Sequence, residues 1–479
     1  MTLNDLFGNA RNVPAATVTG ITADSRKVRP GFVFAAIAGV AADGLDFVPQ
    51  AVAAGAVAIL TDRPVETGEA ALVRVDDVRS ALSVAAARYY AGAPATVAAI
   101  TGTNGKSSSV DFLRQIWASL GEPAASLGTL GAIAPGGTID LGHTTPDPVA
   151  IHETLSFLAR QGVSHLAMEA SSHGLEQRRM DSVNLAAVAF TNFTQDHLDY
   201  HPTMDAYLEA KRRLFRELAR KGIPAVVNAD SPYCEAFESA AVEAGLRIVS
   251  VGWRGRDLKL AELMPRATGQ SLLLKWRGEE HKVDLPLIGE FQAINALTAA
   301  GVALSLNDDF SSVADALSKL EPVKGRLEFV GETAGGGAIF VDYAHTPDGL
   351  DTLLRAARPH TAGRLVVVFG CGGDRDALKR PLMGEVAARQ ADAVIITDDN
   401  PRSEDPEAIR NAILRGAPDA TTIGDRAEAI AAGIAQLQPG DTLLIAGKGH
   451  ETGQIVGGEI IPFSDQSEVQ NALKEVARV

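Results

Sequence analysis

Cysteine is nearly absent: Cys234 and Cys371 are the only two in 479 residues. They lie far apart and match no metal-ligand spacing, so a disulfide framework is excluded and a reducing compartment, the cytoplasm, is expected. Aromatic residues make up only 5%, within a composition of 46% hydrophobic and 22% charged residues that reads as a soluble globular protein. No run of ~18 uninterrupted apolar residues occurs, which argues against a membrane span. The opening MTLNDLFGNA has an early acid and no basic stretch, so no signal peptide is expected. Positive charge is also short. A net charge of −15 argues against nucleic-acid or membrane-surface partners. It leaves room for an anionic small substrate wherever Arg and Lys are concentrated.

The length implies about three domains at ~150 residues each, and no internal repeat or low-complexity tract stands out. Residues 1–92 carry short apolar strands at 31–37, 56–60 and 71–75 and a helix ending near Tyr90, before Ala93-Pro94 punctuates the chain. Residues 93–325 alternate apolar strands (166–169, 186–191) with helical stretches (204–219), the pattern of a mainly parallel sheet covered by helices. Segments 270–276 and 281–287 flank a polar turn and read as an added hairpin. Residues 326–479 repeat the strand–helix alternation (338–342, 365–370, 393–398, 442–446) and read as a second doubly wound domain. Each of its strands ends in a Gly- or Asp-rich loop, where open α/β sheets hold ligands.

What the chain does have is AAITGTNGKSSSV at residues 98–110. A β-branched apolar strand enters a glycine turn that opens into a helix-like run. Such a turn aims backbone N–H groups at phosphate oxygens. Lys106 supplies a mobile positive charge and the Ser107 hydroxyl a Mg²⁺ ligand. The first glycine of the usual GxxxxGK[ST] pattern is replaced by Ile100.

A second group follows in MEASSHGL, TNFTQDHLDYH and EAKRRLF. Glu169 at a strand end and His197 in a polar loop could ligate a hard cation, although His suits Mn²⁺ better than Mg²⁺. Lys211, in EAKRRLFREL, reads from its residues alone as part of a solvated basic helix face. The last domain adds CGGDRDALKRP, DDNPRSEDP and AGKGHET. Arg375 and Arg402, in loops after successive strands, suit a bidentate grip on a carboxylate, or could cap helices and pair with Asp374, Glu404 and Asp405.

TGTNGKSS, MEASSHGL, TQDHLDYH, EAKRRLF, KGRLE, DYAHTPDGL, GGDRD, DDNPR and GKGHE, in this order, resemble the Mur ligases over nearly the whole chain. Within that family they are most similar to the ligases that add the third residue of the peptidoglycan stem peptide. The resemblance implies an α/β fold of three domains: an N-terminal domain (1–92) for the UDP end of the substrate, a central P-loop-type ATPase sheet (93–325), and a C-terminal Rossmann-like doubly wound domain (326–479) for the incoming amino acid. It implies that UDP-N-acetylmuramoyl-L-alanyl-D-glutamate, an amino acid and ATP give the tripeptide, ADP and phosphate, with Mg²⁺ as cofactor. Partners would be these small molecules only, and a monomer is expected.

By matching position, Ala23, Ser25, Val40, Ala41 and Ala42 fall where the family holds uridine. Thr144, Thr145, Ser171, Gln177 and Arg179 fall where it grips the muramoyl-peptide. Gly102, Thr103, Asn104, Gly105, Lys106, Ser107 and Ser108 form the ATP loop, and Asn295, Arg326 and Asp342 match further nucleotide contacts. Gln292 stands where relatives often have Asn. Lys211 matches a lysine that the family carries as a carbamate (N6-carboxylysine), an anionic Mg²⁺ ligand beside Ser107, Glu169 and His197. Lys106, Glu169, His197 and Lys211 make up the expected catalytic set.

Arg375, Asp399, Asn400, Pro401, Arg402, Gly447 and Glu451 match the amino-acid pocket of the relatives that add meso-diaminopimelate. Lysine-adding relatives have DNPA where this chain has DNPR. Without a second carboxylate to meet, a buried Arg402 would be an unpaired charge, so the same residue attracts one substrate and penalises the other. A lysine-adding ligase is thus opposed by Arg402. A folylpolyglutamate-synthase-like ligase is opposed by residues 1–92 and the HTTPD segment. A non-catalytic nucleotide-binding scaffold is opposed by the intact catalytic set.

Overall fold

The computed structural model describes residues 1–8, 16–39, 42–197 and 200–476, with no account of the Val476 side chain. Val40 and Ala41, expected in the uridine loop, lie outside them. The chain divides into two compact units, Met1–Leu258 with Leu297–Asp309, and Lys259–Ala296 with Phe310–Val479.

The first unit opens with four parallel strands, β1 (Gly20–Thr22), β2 (Phe32–Ala35), β3 (Ala58–Thr61) and β4 (Ala71–Arg74), in the order β1-β2-β3-β4. The helix Val78–Tyr89, capped by the Asp77 carboxylate on the N–H groups of Arg79 and Ser80, lays Leu82, Ala85 and Ala86 on this sheet. Val149, from a helix of the following segment, completes the same core. The Ser182 N–H also donates to Ser83 Oγ, and Arg178 meets Asp77 at 2.7 Å. Burial of shared apolar surface, not a linker, joins these segments.

Eight further strands follow in the first unit: β5 (Thr96–Thr101), β6 (Ala124–Gly128), β7 (Gly131–Ala134), β8 (Gly137–Ile139), β9 (His165–Glu169), β10 (Ala187–Phe190), β11 (Pro224–Asn228) and β12 (Arg247–Gly252). Their order is β12-β11-β10-β5-β9-β6-β7-β8, parallel from β12 to β6 and antiparallel beyond. The central strands are buried on both faces, as their unbroken apolar runs require. Because β5 lies between β9 and β10, its C-terminal end is the place where the sheet opens to a ligand.

The second unit begins in β13 (Leu258–Arg266), continues into the antiparallel pair β14 (Gly269–Trp276) and β15 (Glu279–Leu285), which is the expected hairpin, and builds a six-stranded sheet. Its members are β16 (Glu328–Glu332), β17 (Ala338–Asp342), β18 (Leu365–Phe369), β19 (Ala393–Ile396), β20 (Thr421–Thr422) and β21 (Thr442–Ala446). The order is β16-β17-β21-β18-β19-β20, parallel except at β16. A last hairpin, β22 (Gly453–Val456) with β23 (Glu459–Pro462), precedes the helix Asp465–Val476. Arg426 and Asp465 form a fully buried bidentate pair at 2.7 and 2.8 Å. Arg426 also donates to the Ala446 carbonyl at the end of β21, so the pair anchors that strand end to the last helix. Among the described residues no helix is long and apolar enough to cross a membrane.

Candidate active site

The phosphate loop leaves β5 as expected. Gly102 and Gly105 have φ of +155° and +81°, and Gly105 is the N-cap of the helix Lys106–Ser119. A side chain at either would be strained, and a Cβ at Gly102 would collide with Thr191 Oγ1. The segment after β10 braces the loop. The Thr103 N–H donates to the Asn192 carbonyl at 2.8 Å, the Asn104 N–H to Asn192 Oδ1 at 2.9 Å, and Thr191 Oγ1 to the Asn104 carbonyl at 2.7 Å. Lys106 Nζ folds onto its own loop, donating to the carbonyls of Gly102 and Thr103 at 2.9 and 2.8 Å.

Lys211 reaches the same carbonyl. Its Nζ donates to Gly102 O at 2.7 Å and lies 4.5 Å from the centre of the Tyr207 ring, with the residue only 1% exposed. The reading of its helix as a solvated basic face is therefore corrected for this residue. Its neighbours Arg212 and Arg213 do pair, with Glu209 and with Asp181. Burial, helped by the charge of Lys106 and opposed by Asp196, pushes the Lys211 ammonium well below the usual lysine range. Burial also pushes the Tyr207 phenol up to about 12, so it stays protonated 3.2 Å from Thr103 Oγ1. The helix Met204–Arg213 loosens into a π-helical turn, Leu214–Leu218, directly after this lysine, where a single helix to 219 is expected from sequence.

Glu169 ends β9 at 2% exposure, its Oε1 accepting from the Thr129 N–H at 2.8 Å. A Cβ at Gly128 would collide with that oxygen, so the glycine makes room for the carboxylate. Ser107 and Glu169 line one small pocket with Asp111, Ser126 and Gly128. His197, at φ +53°, does not line it; its ring packs edge-on to His173 with centroids 4.9 Å apart and lies 3.5 Å from Asp196. The described residues contain no group of three or more His, Cys, Asp and Glu side chains placed to share a metal ion. Of the four expected ligands Ser107 and Glu169 share this pocket, and Lys211, like His197, is not among the residues that line it; a hydroxyl and a carboxylate are oxygen donors of the kind that suits Mg²⁺.

A hydrogen-bonded chain extends from Glu169. Thr145 Oγ1 donates to the Glu169 carbonyl and accepts from the Ser171 N–H, Arg179 donates to the Thr145 carbonyl and to Gln177 Oε1, and Gln177 donates to the Tyr200 hydroxyl. Thr144 Oγ1 meets Thr129 Oγ1 at 3.0 Å. The structure thus links Thr145, Ser171, Gln177 and Arg179 in one network on the Glu169 main-chain carbonyl, while Thr144 is connected separately, to its carboxylate. Thr129, which sequence reasoning missed, ties Thr144 to it. Ser25 donates to Gln50 at 3.2 Å beside Ala23, while the exposed Ala42 accepts from the Gly39 N–H at 3.0 Å.

In the second unit Gln292 links the nucleotide-contact candidates, accepting from Asn295 at 3.2 Å and donating to the Arg326 carbonyl at 3.0 Å. Arg326 lies over the Tyr343 ring. Both Asp342 oxygens are held at 2.7 Å, by the N–H groups of Leu327 and Ala344. Burial raises the Asp342 pKa against the pull of Arg326 and these two N–H groups.

The strand ends of the six-stranded sheet converge on the loop DDNPR. Asp399 and Asn400 are buried, and a Cβ at Gly447 (φ +117°) would sit 2.5 Å from Asp399 Oδ2. Asn400 donates to Glu451 Oε2 at 2.9 Å. Arg402, at φ +52°, is half-buried rather than buried, because it stands at the rim: its Nη1 donates to the Gly373 carbonyl at 2.7 Å and its backbone bridges to β22. Pro401 packs on Gly373, and Arg375 is exposed in the same glycine loop.

A phosphate-loop sheet with a buried lysine at the loop, and a second doubly wound sheet whose loops carry Arg375 and Arg402, define an α/β protein of the nucleotide-binding, phosphate-loop class. Family models agree: the Mur ligase family catalytic domain matches residues 17–90, the Mur ligase middle domain 100–303, and the Mur ligase glutamate ligase domain 325–449. A relative from Bradyrhizobium diazoefficiens, named UDP-N-acetylmuramoyl-L-alanyl-D-glutamate--2,6-diaminopimelate ligase, is 53% identical over 481 residues, covering 99% of both chains. One of the same name from Agrobacterium fabrum is 50% identical over 485 residues with the same coverage. A solved structure of a ligase of that name matches the full length of both chains at a TM-score of 0.77 and 32% identity. The chain belongs to the Mur ligase family.

Proposed function

We propose that this chain is an ATP-dependent ligase that joins meso-diaminopimelate to UDP-N-acetylmuramoyl-L-alanyl-D-glutamate, releasing ADP and phosphate. The observation that carries the reading is the full-length match, at 53% identity, to a ligase named for that reaction. Arg402, in the loop that would separate meso-diaminopimelate from lysine, supports it.

The γ-carboxylate of D-glutamate attacks the γ-phosphorus of ATP and ADP leaves, giving an acyl phosphate. The amine of diaminopimelate then attacks the acyl carbon, the new amide bond forms, and phosphate departs with the amine's proton lost to solvent. The loop Gly102, Thr103, Asn104, Gly105, Lys106, Ser107 and Ser108 cradles the phosphates, with the Lys106 ammonium following the charge that develops on them. Asn295, Arg326 and Asp342 hold the rest of the nucleotide. Ser107, Glu169, His197 and carbamylated Lys211 would hold Mg²⁺, which when bound draws charge off the phosphate oxygens. The carbamate forms when the neutral Lys211 amine adds to CO₂ and releases one proton, and the buried, low-pKa amine supports that chemistry. Thr144, Thr145, Ser171, Gln177 and Arg179 orient the muramoyl-peptide, and Ala23, Ser25, Val40, Ala41 and Ala42 take the uridine. The substrates and nucleotide are those of the cytoplasm.

Arg402 would grip the carboxylate at the far end of meso-diaminopimelate, with Arg375 contributing a further carboxylate contact and Asp399, Asn400, Pro401, Gly447 and Glu451 shaping the polar pocket. Removing one partner of a desolvated charge pair costs upwards of about 2 kcal/mol, and the rim position of Arg402 puts it at the low end. Arg402→Ala should therefore raise the KM for meso-diaminopimelate roughly 30-fold and leave those for ATP and the UDP-dipeptide little changed. Steady-state kinetics varying one substrate at a time tests this. An unchanged preference for meso-diaminopimelate over lysine overturns the role of Arg402.

A further inference from the structure

Lys448 is fully buried in the loop after β21, yet its charge is paired within the candidate amino-acid pocket. Its Nζ donates to Asn400 Oδ1 at 3.0 Å and to Glu451 Oε2 at 3.1 Å, while Asn400 Nδ2 donates to the same Glu451 oxygen at 2.9 Å. Ammonium, amide and carboxylate thus close a triangle across two loops that are 48 residues apart in sequence. The triangle is tied to the last hairpin. The Ile455 N–H donates to Asn400 Oδ1 at 2.9 Å, Gln454 Nε2 to the Asp399 carbonyl at 2.7 Å, and the Arg402 N–H to the Ile455 carbonyl at 3.0 Å.

A buried ammonium is costly unless it is paired and hydrogen-bonded. Here Glu451 pairs it, and the pairing has two consequences for a ligand. Both donors fall on Oε2 of Glu451, whose side chain is 33% exposed while that of Lys448 is 0% exposed, so a partly open carboxylate is fixed from the buried side through one oxygen. Lys448 also balances charge. It sets a positive charge directly against the Glu451 carboxylate, so that Glu451 and Asp399 weigh less against an incoming carboxylate drawn by the pocket's guanidinium groups.

We infer that Lys448 is a positioning residue for the amino-acid pocket, fixing Asn400 and Glu451 and offsetting their charge so that the pocket accepts an amino acid carrying a second carboxylate. This rests on the proposed reading of that loop as the meso-diaminopimelate site.

The test is steady-state kinetics of full-length Lys448→Met and Lys448→Gln beside the wild type, with thermal melting of each. A hydrogen bond to a charged group is worth enough that Lys448→Met should raise the KM for meso-diaminopimelate roughly 10- to 100-fold. Lys448→Gln, which keeps a neutral donor, should raise it less, and the KM values for ATP and the UDP-dipeptide should stay within about twofold in both, as expected for sites that share no partners. An unchanged KM for meso-diaminopimelate overturns the inference. So does a parallel rise in all three KM values, or failure of both variants to fold, since either makes Lys448 a structural cross-link alone. A wild type that releases no phosphate with meso-diaminopimelate overturns instead the proposed substrate.

Discussion

Lys106→Ala is expected to lower kcat for ligation roughly 100- to 1000-fold, the cost of removing one donor aimed at developing charge, with the fold intact. The two expectations separate because of where the side chain lies. Lys106 Nζ donates to the Gly102 and Thr103 carbonyls of its own turn, and the side chain is half-buried rather than part of a hydrophobic core. The loop remains braced by Thr191 and Asn192 when the side chain is gone. Phosphate release by the purified variant, read against its melting temperature, checks this. Near wild-type turnover in a folded variant would mean that the loop does not act on the transferred phosphate.

Lys211→Ala is expected to be nearly inactive for a different reason. At 1% exposure its amine cannot be serving as a solvated cation. Its Nζ donates to the Gly102 carbonyl, which it shares with Lys106. Two ammonium groups on one carbonyl repel each other, and burial disfavours the charged form of Lys211 further. The proposed carbamate would replace that repulsion with an ion pair and supply two oxygens sharing one negative charge. Alanine removes these oxygens and leaves space, so a short carboxylic acid at high concentration should restore part of the activity. Lack of rescue, or intact-mass measurement of active enzyme under CO₂-retaining conditions showing an unmodified Lys211, would count against the carbamate.

The parts of this site that were legible in sequence are those dictated by local backbone chemistry. The phosphate loop can be read because its turn needs left-handed positions that glycine supplies, and strand and helix flank it in the right order. The parallel strands can be read because burial on both faces produces unbroken apolar runs. Lys211 was not legible from its own helix: Lys211, Arg212 and Arg213 are adjacent and chemically alike, and only the packing of Tyr207 and the Gly102 turn buries the first of them. Resemblance to a family, not periodicity, singled it out. Lys448 and Thr129 were missed because each acts through a partner distant in sequence, Asn400 and Glu169 respectively. The β22–β23 hairpin left no alternating pattern, since every residue of β23 is exposed. Arg402 can be singled out by type and position, but its placement at the rim depends on a hairpin that has no signature in the sequence.

The most direct test of the central claim is phosphate release by the purified wild-type chain with ATP, Mg²⁺ and UDP-N-acetylmuramoyl-L-alanyl-D-glutamate, comparing meso-diaminopimelate with L-lysine. Release that depends on the UDP-dipeptide and is driven by meso-diaminopimelate far more than by L-lysine is the predicted result; equal release with either amino acid, or release with L-lysine alone, would contradict it.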